Sequence, residues 1–456
     1  MKRLDTVMKR SIVLVAGFVV LWGGCPRGFG MDWNVGMARE KITPEEPIWM
    51  SGYASRDRPA EGTRTELWAK ATALEDAAGN RGVILSLDVV GFGRDIADQI
   101  VAGLENFPGL DRARIWINAS HTHTGPVVGN NLETMYFLTP EHAEKAERYA
   151  DQLVERGVSV ARKALSEMVP RTVSYGLGRA GFGVNRRNNP EMLVPKLRFG
   201  GELRGPVDYS VPVLRVSDTQ NRLVGVLFGY ACHATTLSDY QWSGDYPGYA
   251  QIFIESRYPG AVAQFIAGCG ADINPLPRRK PELAVRYGRE LAESVEDVLD
   301  GVLTPVSPSL EIRFDTIALA FDQIPTRADW EEQARSDNRY EVARAQKWLK
   351  VLGEGREIPR TYEYPLSWWR LGEDLNLIGL GGEVVVEFAL ALQREWGRST
   401  WVAGYSHDVM AYIPSRRIWE EGGYEGASAM IYYGLPSRWV GSVEEEVLAG
   451  VRRLAP

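Results

Sequence analysis

Four of the five histidines in this 456-residue chain close segments that read as strands, in surroundings rich in Gly, Ser, Thr and Asp. In Ser120-His121-Thr122-His123-Thr124-Gly125-Pro126, His121 and His123 are two residues apart. On a strand both face one side, and on a turn both imidazoles can reach one centre. Imidazole suits zinc, and short spacing limits the chain entropy lost on binding. The alternative for the same pair is two histidines hydrogen-bonding a polar turn. His233 ends the apolar run Leu223 to Ala231 and, taken alone, also reads as a satisfied core histidine. Downstream, Ser243-Gly244-Asp245 offers a carboxylate to orient a ligand. His407 follows another strand and is expected to line the site, whereas His142 falls in the first turn of a helix, a surface position. Glu383, after Gly381-Gly382, either completes a metal site or is a helix N-terminal acid stabilised by the dipole. In Gly268-Cys269-Gly270-Ala271-Asp272-Ile273-Asn274-Pro275, Asp272 and Asn274 are placed to hold substrate or shape an oxyanion site, or simply to make a tight turn.

The elements that must position these residues follow from periodicity. Leu67 to Leu74 and Arg81 to Phe92 form an expected hairpin across Asp76 to Asn80. Further strands are expected at Ala113 to Ala119, Val211 to Val216, Leu223 to Tyr230, Val262 to Ala267, Leu375 to Leu380 and Thr400 to Ala403. Thr139-Pro140 caps a helix running to Met168. Other helices are expected at Glu282 to Leu299, Arg327 to Leu352, Val384 to Trp396 and Val443 to Leu454. The pattern predicts an α/β fold, or a mixed α+β one: a single large domain with mixed β-sheets flanked by helices. The charged stretch Arg327 to Tyr364 reads as a solvated insertion.

Composition excludes other classes. Hydrophobic residues at 45% and charged residues at 24% describe an ordinary globular chain, and a net charge of −7 argues against a nucleic-acid partner. Residues 1–30 carry Lys9 and Arg10 before the apolar run Ile12 to Trp22, which reads as a signal peptide or, through Cys25, as a lipoprotein signal with a lipid anchor. Export to the periplasm, the medium or a lipid-anchored state follows from that reading. No apolar run reaches the length of a membrane span. Cys232 and Cys269 are too few for a disulfide framework and read as buried thiols.

In this order the motifs resemble the neutral/alkaline non-lysosomal ceramidase family over about Val35 to Leu435. The resemblance rests on Trp49-Met50-Ser51-Gly52-Tyr53, on Ser120 to Pro126, on His233 with Ser243 to Asp245, on Gly382-Glu383, and on Tyr412 with Tyr424-Glu425-Gly426-Ala427-Ser428. It implies a zinc-dependent hydrolase of N-acyl amides, with His121, His233, Glu383 and Tyr412 as the zinc ligands and residues 31–456 as the catalytic domain. It further implies an active-site arginine at Arg186 and a role for His123 beside the metal. The chain departs from the family where Asn274 stands in place of the proposed nucleophilic serine, and the family's C-terminal immunoglobulin-like domain is not expected after the Tyr424-to-Ser428 block.

A carboxamide cannot be activated as a hydroxyl nucleophile, so the simplest expected mechanism is attack by zinc-activated water. His123 then shuttles the proton, and Arg186 with Asn274 stabilises the oxyanion. Arg278, in Arg278-Arg279-Lys280, reads as a contact for an anionic substrate group or as the exposed start of a helix. The substrate is ceramide-like or another amide. Alternatives are a polar glycan bound at the same zinc site, with tryptophans such as Trp242, Trp368, Trp369 and Trp419 stacking on sugar rings, and a non-catalytic ligand-binding relative.

Overall fold

Side chains alternate between two different cores along the central strands, and this sets the architecture. The computed structural model describes residues 33–455; the expected export signal and Cys25 lie outside the described residues. In the strand Arg81–Leu87, Val83, Leu85 and Leu87 enter one apolar cluster while Ile84 enters another. The strand Leu223–Tyr230 behaves likewise, with Val226, Phe228 and Tyr230 on one face and Leu227 on the other. This period of two places a sheet between two buried layers.

That nine-stranded sheet runs in the order Val262–Ala267, Leu223–Tyr230, Ser210–Ser217, Val169–Arg179, Trp33–Lys41, Trp68–Glu75, Arg81–Leu87, Ile115–Ala119, with Thr304–Pro305 beside Val169–Arg179. Its terminal strands pair in parallel with their neighbours and the middle ones antiparallel. The expected hairpin is present, Trp68–Glu75 against Arg81–Leu87. One face packs under helices Pro140–Ser166, Asp245–Arg257 and Pro281–Asp300, which contribute Leu153, Ile254 and Leu291. The other face meets a second, four-stranded sheet in the order Leu310–Ala320, Thr361–Leu371, Leu375–Leu380, Thr400–Ala403. Trp116, Trp369, Leu377 and Trp401 fill the space between the sheets. Leu366, Trp368 and Ile378 point outward to helices Val386–Trp396 and Val443–Leu454. The result is four layers, helix on sheet on sheet on helix.

Both edges of the large sheet come together. The Asn118 side chain accepts from the Ala267 amide at 2.9 Å, and Thr122 bridges Ala234 in parallel. The C-terminal ends of the strands carrying His121, His233 and the Gly268-to-Asn274 turn therefore converge at one end of the sandwich. Strand ends leave backbone amides and carbonyls without ladder partners, which is why sites collect there.

Three expectations need correction. The segment Arg327 to Leu352 is two helices, Arg327–Gln333 and Arg339–Gly353, rather than one; its residues are mostly exposed or half-exposed, as expected, around a small core of Trp330, Ala345, Trp348 and Ile358. Glu383 lies on a two-residue strand and the helix begins three residues later at Val386, so Glu383 is not a dipole-stabilised helix acid. Trp368 and Trp369 are fully buried and Trp242 nearly so, while Trp419 is spent on a hydrogen bond to the Trp439 carbonyl, so none is placed to stack on a sugar. Cys232 and Cys269 are free and buried, as expected. His142 is half-buried against the Trp49 ring.

Candidate metal centre and its cavity

His121 takes up φ +59°, a left-handed conformation that is costly for a residue with a Cβ and persists where surrounding contacts impose it. Its Nδ1 donates to the Val90 carbonyl at 2.6 Å. His233 does the same toward the Gly270 carbonyl at 2.8 Å. Each bond makes Nδ1 a protonated nitrogen, which in a neutral ring leaves Nε2 with a lone pair. Both Nε2 atoms stand 3.2 Å from Glu383 Oε2, an oxygen with no hydrogen-bond donor. A third nitrogen, His123 Nε2, is 3.1 Å from His121 Nε2, and the donor atoms of His121, His123 and His233 all lie within 4.8 Å of one another.

Lone pairs facing a carboxylate repel unless a proton or a cation sits between them. Burial, helped by the Arg186 charge, pushes His233 down to about 4, and burial together with the neighbouring histidines holds His123 well below the usual range. The His233 and His123 rings are therefore neutral near pH 7, so His233 places no proton between its Nε2 and Glu383. Burial by itself would raise Glu383; its carboxyl is held well below the usual range only where a donor or positive charge stands between it and the facing His121 and His233. A convergent set of neutral imidazoles and one carboxylate fits a divalent cation. The three buried histidines can hold a metal.

Tyr412 reaches the same point by register. The strand Glu383–Val384 pairs in parallel with Tyr412–Ile413, Glu383 opposite Tyr412. Gly382 makes this approach feasible: at φ +76°, a Cβ there would stand 2.6 Å from the Ala411 carbonyl oxygen. The Tyr412 hydroxyl lies 3.4 Å from His233 Nε2 and accepts from Arg186 Nη2 at 3.1 Å. Arg186 also donates to Glu425 at 2.7 Å and to Asn274 Oδ1 at 3.4 Å. Burial opposes its charge, but Tyr412 and Glu425 outweigh it and keep the guanidinium charged.

A cavity of about 600 Å³ opens over this cluster, walled by His123, Arg186, Asn274, Arg278, Tyr412 and Tyr424 among others. The structure thus brings together His121, His123, His233, Glu383, Tyr412, Arg186 and Asn274, with Arg278 at the rim, paired to Glu191 at 2.9 Å. Asp272 is a correction. It is fully buried, accepting from Asn185 Nδ2 at 2.7 Å and from the Val386 amide at 2.9 Å, so it braces the turn and does not touch the cavity. His407 is a second correction. It is buried between the sheets, 2.9 Å from Ser367 Oγ and 3.4 Å from Arg112, because its strand end turns inward under Trp116. Asp245 likewise accepts from the Leu237 and Tyr246 amides and orients no histidine.

Sequence reasoning missed six contributors. Tyr433 donates its hydroxyl to Glu383 Oε1, and no motif marks it. The Val90 and Gly270 carbonyls are invisible to side-chain patterns. Glu425 sits in the Tyr424-to-Ser428 block, which signalled its importance without its role. Gly52, at φ +96°, lies against His123, and the Tyr53 ring packs on that imidazole with centroids 5.0 Å apart.

Comparison with known proteins points to one family. The family model for "Neutral/alkaline non-lysosomal ceramidase, N-terminal" matches residues 33–272. The neutral ceramidase of Pseudomonas aeruginosa is 27% identical over 267 residues, 56% of this chain and 39% of that protein. That of Drosophila pseudoobscura pseudoobscura is 25% identical over 295 residues, 59% of this chain and 39% of that protein. The aligned segment thus spans about two fifths of these relatives' length. Among solved structures, neutral ceramidase from Pseudomonas aeruginosa superposes with a TM-score of 0.70 at 20% identity, covering 93% of this chain and 75% of the other. A ceramidase complexed with C2 gives 0.71 at 18% identity, covering 93% and 76%.

Proposed function

The chain belongs to the neutral/alkaline non-lysosomal ceramidase family, and from that membership and the site's geometry we propose that it is a zinc-dependent hydrolase cleaving an N-acyl amide. The observation that carries the reading is the pair of Nε2 lone pairs, of His121 and His233, aimed at one donorless oxygen of Glu383. His121, His233, Glu383 and Tyr412 would hold the ion. Zinc bound there would supply a Lewis acid and lower the pKa of a water.

The remaining steps belong to the chain's own side chains. Arg186, fixed between Glu425 and Tyr412, presents a charge at the cavity wall where negative charge develops on a substrate carbonyl. Asn274 accepts from Arg186 through Oδ1, leaving its amide nitrogen as a further donor. No hydroxyl stands at position 274, so a covalent acyl-enzyme at that residue has no nucleophile. His123, on the cavity wall with an unpartnered Nδ1, is placed to carry a proton to the leaving amine. Arg278 contacts a polar or anionic substrate group at the rim. Within this reading, residues 31–456 form one catalytic domain of an exported protein, and no helix among the described residues is long and apolar enough to cross a membrane.

The test is amine release from a panel of ceramides, N-acyl amino acids and N-acetylated or sulfated sugars, with and without a chelator. Chelator-sensitive hydrolysis restored by zinc is expected. A zinc-loaded protein that releases no amine from any member would overturn the reading.

A further inference from the structure

The chain leaves the cavity wall at Asn189, Pro190 and Glu191 and at once exposes large apolar side chains. Met192 is 89% exposed, Leu193 49% and Phe199 96%. The backbone beneath them is anchored. Val194 is buried in a cluster with Val184 and Leu276, and Arg198 donates to the Phe182 and Leu276 carbonyls at 2.9 and 3.1 Å. Three large hydrophobes within eight residues, displayed on a pinned segment, form a patch of the kind that marks an interaction site.

Cations surround it. Lys196, Arg204, Arg279 and Lys280 are exposed, and among the described residues none of them makes an ion pair. The Arg278–Glu191 pair ties the Arg279-Lys280 loop to this segment, and Asn189 holds the Arg204 backbone through both its amide atoms. A chain of net charge −7 thus gathers four unpaired cations around its apolar patch, against the exposed carboxylates of Glu202 and Glu282.

We propose that this rim is a docking surface for an anionic lipid–water interface. Met192, Leu193 and Phe199 enter the boundary between headgroups and acyl chains, while Lys196, Arg204, Arg279 and Lys280 meet the headgroup anions. Charge complementarity favours this occupant over a second copy, since a twofold contact would set the same cations against each other. The cavity opens beside the patch, so an acyl-bearing amide would pass from the surface to His123 without crossing bulk water. That use rests on the proposed hydrolase reading, but docking itself does not.

Flotation with vesicles of phosphatidylcholine alone, or with three parts in ten phosphatidylserine, tests it. The intact protein is expected to float with the anionic vesicles at least fivefold better, about the factor for one basic residue near the surface. Met192→Ser with Leu193→Ser and Phe199→Ser, or separately Lys196→Glu with Lys280→Glu, should lower flotation tenfold or more, with unchanged thermal midpoint and metal content. Equal flotation of parent and variants overturns the proposal, as does a parent dimer that these variants dissolve, which would make the patch a self-interface. Absence of hydrolysis would leave flotation intact. Loss of docking alone would leave turnover of a soluble short-chain amide intact, so the two readings fail separately.

Discussion

Glu383 and Tyr412 face each other across two parallel strands of two residues each, so backbone register sets the distance between carboxylate and phenol. Trp439 fixes the far side by donating to the Tyr412 carbonyl at 2.9 Å. Gly382→Ala would drive a Cβ toward the Ala411 oxygen at a left-handed φ. It should cost roughly 1–3 kcal/mol and weaken metal binding with every ligand side chain intact. Tyr412→Phe should fold, weaken metal binding about tenfold and leave Arg186 short of an acceptor. Chelator competition and thermal denaturation of the two variants measure both effects.

Gly52 is the neighbour that lets His123 lie where it does. A Cβ there would stand 2.5 Å from His123 Nδ1 at φ +96°. Gly52→Ala is expected to displace the imidazole and lower kcat tenfold or more while metal content holds. Steady-state kinetics with metal analysis of the same sample check this.

Arg186 spans Glu425, Asn274 and Tyr412, a reach that lysine, as a point charge, cannot reproduce. Arg186→Lys should lower kcat about a hundredfold, the scale for losing one oxyanion donor, with metal retained. Asn274→Ala should cost less, and Asn274→Ser should produce no burst of accumulating acyl-enzyme in pre-steady-state measurements.

Asp408 provides a pH signature away from the metal. Burial pushes its carboxyl up to about 7, against the hydrogen bond from Tyr362 at 2.6 Å, and its Oδ1 has no partner. A folded value above the unfolded one of about 3.9 means the native state binds the extra proton between those values. Stability from this residue is therefore lowest above pH 7 and recovers as pH falls from 7 toward 4. Asp408→Asn should be more stable than the parent at pH 8, by roughly 1–3 kcal/mol, and the gap should narrow by pH 5. Thermal midpoints across that range decide it.

The sequence disclosed strands better than their partners. Leu223–Tyr230, Val262–Ala267, Leu375–Leu380 and Thr400–Ala403 were readable end to end because buried parallel strands are continuous apolar runs. Val169–Arg179 and Leu310–Ala320 were not, since half-exposed residues interrupt their pattern. The site divided in the same way. His121, His123, His233 and Glu383 were legible as candidates because the residue types able to bind metal are few and these stand at strand ends. His407 has the same local signature, yet its strand end turns into the space between the sheets, and only tertiary packing separates the two cases. Tyr412 and Arg186 emerged only through family resemblance, because a tyrosine or an arginine carries no spacing signal of its own. Asp272 was placed on the right turn, but its carboxylate faces the Asn185 side-chain amide and the Val386 backbone amide rather than the cavity.

The central claim is that His121 and His233 with Glu383 hold a metal ion, and metal stoichiometry of the purified protein tests it most directly. About one divalent ion per chain is predicted for the parent and almost none for His121→Ala combined with His233→Ala. A metal-free parent refractory to zinc loading, or equal metal in parent and double variant, would contradict it.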